Sequence, residues 1–184
     1  MAVVLVDVIN AMDFPEGEQL ARHALRAAKR IAALKRRAKA ARVPVIYAND
    51  NYGQWRSDFH ATLENALRPE NPGHDIALLL RPDEDDYFVL KPMHSAFFGS
   101  TLEPLLAYLA CQRLVLAGFA GDMCVQFTAQ DAFLRGFELV IARDCIASET
   151  PRGNRIALDL MRKHMKAHIA DSARIDFRAL RRAR

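Results

Sequence analysis

Two short runs in this 184-residue chain are apolar at every position: Val3-Val4-Leu5-Val6 and Leu114-Val115-Leu116-Ala117. A strand with one wet face alternates apolar and polar residues. A strand without alternation must bury both faces, which a parallel sheet achieves when helices cover it on each side. The chain supplies those helices. From about Glu18 to Ala41, residues Leu20, Ala24, Ala27, Ala28, Ile31 and Leu34 recur at helical spacing. Strand-like runs at 2–7, 43–48, 86–91, 113–118, 138–142 and 167–170 alternate with helical patterns at His74–Leu80, Thr101–Cys111, Val125–Arg135 and Asn154–His164. Pro82 stops the first of these patterns, and Pro151 and Gly153 precede the last. Such alternation predicts βαβ units, and hence a three-layer α/β/α fold with a six-stranded parallel sheet. The length suits one domain over residues 1–184.

Composition excludes several functions. Hydrophobic residues make up 51% and charged residues 26%, as in an ordinary soluble domain. Three cysteines without regular spacing argue against a disulfide scaffold and for a reducing compartment. No basic leader precedes the first apolar run, and no apolar stretch is long enough to span a bilayer, so a cytoplasmic protein without a membrane partner is expected. The net charge of +4 sits largely on Lys29-Arg30, on Lys35-Arg36-Arg37 and on the tail Arg178–Arg184. These read as solvated helix faces, and no aromatics are interleaved for base stacking, so no nucleic-acid partner is expected. No Gly-x-Gly-x-x-Gly follows the first strand, which argues against a dinucleotide site. The one long irregular stretch, Asn49 to Gly73, carries Tyr52, Trp55, Phe59 and His60, and has the length of a functional lid.

Chemistry centres on Cys124. The apolar strand breaks at Gly118, passes through Phe119-Ala120-Gly121-Asp122-Met123 and enters a helical pattern at Val125. The thiol therefore stands beyond a strand's carboxyl end at a helix N-terminus, where ligands bind in open α/β sheets and where the helix dipole favours thiolate. By itself, a Cys between Met and Val reads as a small apolar filler, as do Cys111 and Cys145. Two other strand ends carry the groups an activated thiol needs: Asp7 after Ala2–Val6, and Lys91 after Tyr87–Leu90. Taken alone, these two also read as an ordinary ion pair.

Three segments occur in the order of a known superfamily. They are Asp7-Val8-Ile9-Asn10 after the first strand, Lys91-Pro92-Met93-His94-Ser95-Ala96-Phe97 after the third, and Gly118 through Cys124-Val125. With their strand contexts, they make the chain resemble the isochorismatase-like cysteine hydrolases, which include nicotinamidases and N-carbamoylsarcosine amidohydrolases. The resemblance covers nearly the whole chain and implies a Rossmann-like domain. It assigns Cys124 as nucleophile, Asp7 as general acid/base and Lys91 as the cation beside both. It also implies a cis Phe119–Ala120 peptide, with the backbone N–H groups of Ala120 and Cys124 as the oxyanion hole. Asn51, Tyr52, Trp55, Phe97, Phe98 and Met123 are expected to wall the substrate pocket, although aromatics at such positions also read as core.

Departures narrow the subclass. Metal-binding nicotinamidases carry Asp-x-His after the second strand. Here the segment is Asp50-Asn51-Tyr52, and His60 and His74 make a weak remaining set, so no metal and no cofactor are expected. Ala11 stands where many members carry Asp. Relatives that cleave the vinyl ether of isochorismate lack the nucleophilic Cys. The resemblance thus implies hydrolysis of a small amide, carbamoyl or imide substrate through a thioester. The alternatives are ether hydrolysis, or a non-catalytic member with a redox-sensitive thiol. A homodimer or homotetramer is expected, because the family usually assembles and because the 49–73 segment is too aromatic to lie bare.

Overall fold

A computed structural model describes residues 1–56 and 58–182 of the chain; Ser57, inside the expected lid, and residues 183–184, ending the basic tail, lie outside the described residues. The elements run β1 (Ala2–Val6), α1 (Gly17–Ala40), β2 (Val45–Asp50), α2 (Phe59–Ala66), α3 (His74–Leu79), β3 (Tyr87–Lys91), α4 (Leu102–Tyr108), β4 (Arg113–Phe119), α5 (Gln126–Leu134), β5 (Glu138–Ala147), α6 (Pro151–His164), β6 (His168–Ala170) and α7 (Phe177–Arg182). A π-helical turn, Gly121–Val125, leads into α5. The strands form one all-parallel sheet in the order β3-β2-β1-β4-β5-β6.

The unbroken apolar runs have the cause expected of them. Val3 and Leu5 of β1, with Val45, Tyr47, Val115 and Ala117, pack on the side of α1 and α3. Ala2, Val4 and Val6, with Ile46, Ala48, Leu114 and Leu116, pack on the side of α4, α5 and α6. Successive side chains point to opposite faces, so both sets must be apolar. The order reverses between β1 and β4, and Val6 there pairs with Gly118. Gly118 has φ +129°, and a Cβ on it would lie 2.0 Å from the Val6 carbonyl oxygen, so only glycine lets the two strands close at this point.

The structure departs from the sequence reading in four places. Helix α2 interrupts the stretch read as irregular: Asp58 caps it by accepting from the Ala61 amide at 2.9 Å, and buried Phe59 stacks on Phe88. Strand β5 runs to Ala147, because its register against β4 shifts between Leu116 and Gly118 and pairing resumes at Ile146. Helix α7 was not among the expected elements, although its basic run read as a helix face. Lys35, expected on a solvated face, is buried; its ammonium contacts the Tyr47 hydroxyl at 2.9 Å and the Asp86 carboxylate at 2.5 Å.

Candidate active site

Asp7, Asp50 and Lys91 reach one point because β1, β2 and β3 end side by side. Asp50 pairs in register with Lys91, and the Asp7 amide continues the ladder to the Ala48 carbonyl at 2.9 Å. Asp7 then takes φ +51°, a left-handed turn that aspartate tolerates better than most residues. The loop after β1 is pinned by Asn10, which accepts from the Met12 amide at 2.7 Å, and by Asn49, which donates to the Ile9 carbonyl at 2.6 Å.

Lys91 is fully buried. Its Nζ lies 2.9 Å from Asp7 Oδ2, 3.1 Å from Asp50 Oδ2, 3.1 Å from the Met93 carbonyl oxygen and 3.7 Å from Cys124 Sγ. An ammonium has three protons, so the two carboxylates and the carbonyl use its donors and the sulfur shares one at longer range. Asp7 is held on its other oxygen by the Asp50 amide at 2.7 Å. His94 Nδ1 is 3.8 Å from the sulfur. The Phe119–Ala120 peptide is cis, and the Val125 amide closes the π turn onto the Ala120 carbonyl at 3.1 Å.

The charge balance decides which group carries the proton. Burial pushes Asp7 above the ordinary carboxylate range, while Lys91 pulls it back. Burial works against the Lys91 charge, yet Asp7, Cys124 and Asp50 together hold its pKa above the ordinary lysine value. Burial, followed by the Asp7 charge, pushes the Cys124 thiol up against the pull of Lys91. This push runs against the thiolate-favouring field expected of the helix N-terminus. Two carboxylates already outnumber the single ammonium, and a third negative charge would be worse than a neutral thiol. Asp7, its basicity raised, is the acceptor beside that proton.

A cavity of about 270 Å³ lies over the sulfur. Of the six expected wall residues, Tyr52 and Met123 line it. Tyr52 as a residue is 47% exposed, yet burial of its phenol, with the charges of Asp7 and Asp50, holds that phenol well above its ordinary pKa. Asn51 turns its amide oxygen to the Gly53 N–H, and Trp55 and Phe98 stand 78% and 59% exposed away from the cavity. Phe97 is buried in the core on the α4–α6 side, against Phe137 and beneath the Arg135 guanidinium. The lining that sequence reasoning missed comes from separate segments, the first turn of α1 and the end of β2 among them: Asn10, Phe14, Leu20, Asp50, His94, Asp122 and Glu149. Asn10, Asp50 and His94 stood inside quoted motifs; Glu149 had no signal beyond its place between a strand and a helix.

The family model for the isochorismatase domain matches residues 1–174. The chain belongs to the isochorismatase family. It is 36% identical over 174 residues to the isochorismatase-family protein YaaI of Bacillus subtilis, covering 95% of each chain. It is 33% identical over 159 residues to the ureidoacrylate amidohydrolase RutB of Azorhizobium caulinodans, covering 72% of this chain and 69% of that one. The solved structure of N-carbamoylsarcosine amidase from Thermoplasma acidophilum shares the fold, with a TM-score of 0.71 at 23% identity over 95% of this chain and 98% of that one.

Some members of this family hold a divalent metal after β2, so the donors there were tested for fit. Asp50 gives one oxygen to Lys91 and the other to the Tyr52 amide at 2.7 Å. His74 Nδ1 meets the Leu67 carbonyl oxygen at 2.8 Å, and the His60 ring meets the edge of Phe88. Neither histidine lines the cavity, and Tyr52 fills the position of the family's ligand. These residues do not fit a metal. Among the described residues, the group of three metal-competent side chains, Asp83, Asp85 and Asp86, is engaged by Lys35 and Lys39. A larger cavity, about 440 Å³, opens at the amino ends of β4 to β6, but no thiol or base–nucleophile pair lines it. No helix among the described residues is long and apolar enough to cross a membrane.

Proposed function

We propose that this chain is a cysteine-dependent hydrolase of a small amide, carbamoyl or imide compound, working through a thioester on Cys124. It is a hydrolase of carbon–nitrogen bonds other than peptide bonds, as its amidohydrolase relatives are named. One observation carries the reading: a buried ammonium lies 2.9 Å from Asp7 and 3.7 Å from Cys124, beneath a cavity that both residues line. In the mechanism, Sγ attacks the substrate carbonyl carbon as Asp7 takes the thiol proton. The N–H groups of Ala120 and Cys124 receive the oxyanion. Asp7 returns the proton to the leaving nitrogen, and the carbon–nitrogen bond breaks to leave the thioester. Water, deprotonated by Asp7, then attacks the thioester and restores the thiol. Lys91 stays charged throughout, holding Asp7 in place and balancing the sulfur as it becomes negative.

The test is a screen of small amides, carbamoyl compounds and isochorismate, following ammonia and pyruvate, with acid-quenched enzyme analysed by mass. Ammonia release, a covalent acyl adduct on Cys124 and a loss of at least about 10³-fold in Cys124→Ala are expected. Pyruvate release from isochorismate, or unchanged turnover in Cys124→Ala, would overturn the reading.

A further inference from the structure

The chain carries a formal charge of +4, yet the cavity over Cys124 is lined by four carboxylates, Asp7, Asp50, Asp122 and Glu149. Among the described residues no lysine or arginine lines it. Asp7 and Asp50 share the one buried ammonium of Lys91. Asp122 and Glu149 make no ion pair among the described residues, and they belong to different loops, the π turn after β4 and the segment between β5 and α6. Asp122 packs against Gly153 in the first turn of α6. Glu149 is half-buried, and burial with the charges of Asp122 and Glu16 pushes its carboxyl up. Acidic side chains gathered on a surface would mean little; these two face the same cavity as the sulfur.

We infer that this cavity selects uncharged or amine-bearing small amides and excludes carboxylates, with Glu149 and Asp122 as the specificity-determining residues. The inference rests on the hydrolase reading above and adds the substrate's charge to it. An anion entering the cavity leaves bulk water for a lining with four carboxylates and no lysine or arginine, His94 being its one basic side chain, whereas an ammonium meets Asp122 and Glu149. Even about 10 Å from one such charge, at an effective dielectric of about 20, an anion is disfavoured more than tenfold. Maleamate and ureidoacrylate, both carboxylates, fall on the disfavoured side.

The experiment uses three amides of one length: 3-aminopropanamide (cationic), butanamide (neutral) and succinamate (anionic). A second arm alkylates Cys124 with iodoacetamide and with iodoacetate, each rate divided by that of 2-mercaptoethanol. The expected kcat/KM for succinamate is at least about tenfold below the other two, with the same deficit for iodoacetate. Glu149→Gln, and Asp122→Asn as a second variant, should narrow both ratios. Succinamate matching or exceeding either other amide, or iodoacetate reacting as readily as iodoacetamide, overturns the inference while leaving a hydrolase. Absence of hydrolysis with the alkylation deficit intact supports the charge selection, and the wider screen above then decides the hydrolase reading separately.

Discussion

Replacing Asp7 with Asn separates the two duties a catalytic carboxylate can have. Asp7 Oδ2 and Cys124 Sγ each touch the Lys91 ammonium, so they are at most about 6.6 Å apart. At that separation and an effective dielectric of about 20, the Asp7 charge costs the thiolate about 2.5 kcal/mol, or roughly two pH units. Removing it should lower the Cys124 pKa by that much. The thiolate fraction near neutral pH then rises by nearly two orders of magnitude. A less basic sulfur is a weaker nucleophile by about half the pKa change on a logarithmic scale, which leaves a net gain of roughly tenfold. The assay is the iodoacetamide rate at Cys124, followed by peptide mass, beside amide hydrolysis by the same protein. Alkylation should accelerate while hydrolysis is lost for want of a proton acceptor. If Asp7→Asn slows alkylation as much as hydrolysis, the carboxylate serves mainly to hold Lys91, and the account of the proton is wrong.

Lys91→Met leaves Asp7 buried without its cation, so the variant should lose about 3–5 kcal/mol at neutral pH. Its Asp7 then sits higher still in the folded state than unfolded, so the loss grows as pH rises from about 4 and shrinks below it; denaturant midpoints across pH would show this. Gly118→Ala forces a left-handed residue and a Cβ against the Val6 carbonyl, and should lower stability by at least about 2 kcal/mol, read as a drop in Tm. Turnover should survive dialysis against a strong chelator; restoration by added zinc or iron of activity lost in that step would reinstate a metal at Asp50. Trp55 and Phe98 stand largely bare, and light scattering is expected to find a dimer or tetramer, a monomer at working concentration being the contrary result.

The parts of the fold that could be read from sequence are those where burial leaves one solution. Val3–Val6 could only be a central strand, and the thiol beyond the second unbroken run was legible at a strand's carboxyl end, although β4 does not break at Gly118 as expected but pairs through it to Phe119. Asp7 and Lys91 were legible as strand ends. Residues placed by contacts between distant segments were not. Phe59 and Asp58 make a helix of a stretch whose periodicity is too short to signal one, because Phe88 gives that helix something to pack against. Phe97 looks like a pocket wall in the motif, but the turn after Lys91 aims it into the core. The upward push on the Cys124 thiol depends on charges that only the folded chain gathers: Asp50 joins Asp7 at Lys91.

The pairing of Val6 with Gly118 has a bearing on how the chain is made. Everything that tunes the sulfur (Asp7, Asp50, Lys91) belongs to one wing of the sheet, built from the first half of the chain, and the sulfur itself belongs to the other. A ribosome therefore releases the acid, its cation and their supporting loops well before the nucleophile emerges. The thiol meets them only when β4 slides in beside β1. Until then it is an ordinary cysteine, so the reactivity of Cys124 reports, without any substrate, whether the two wings have joined.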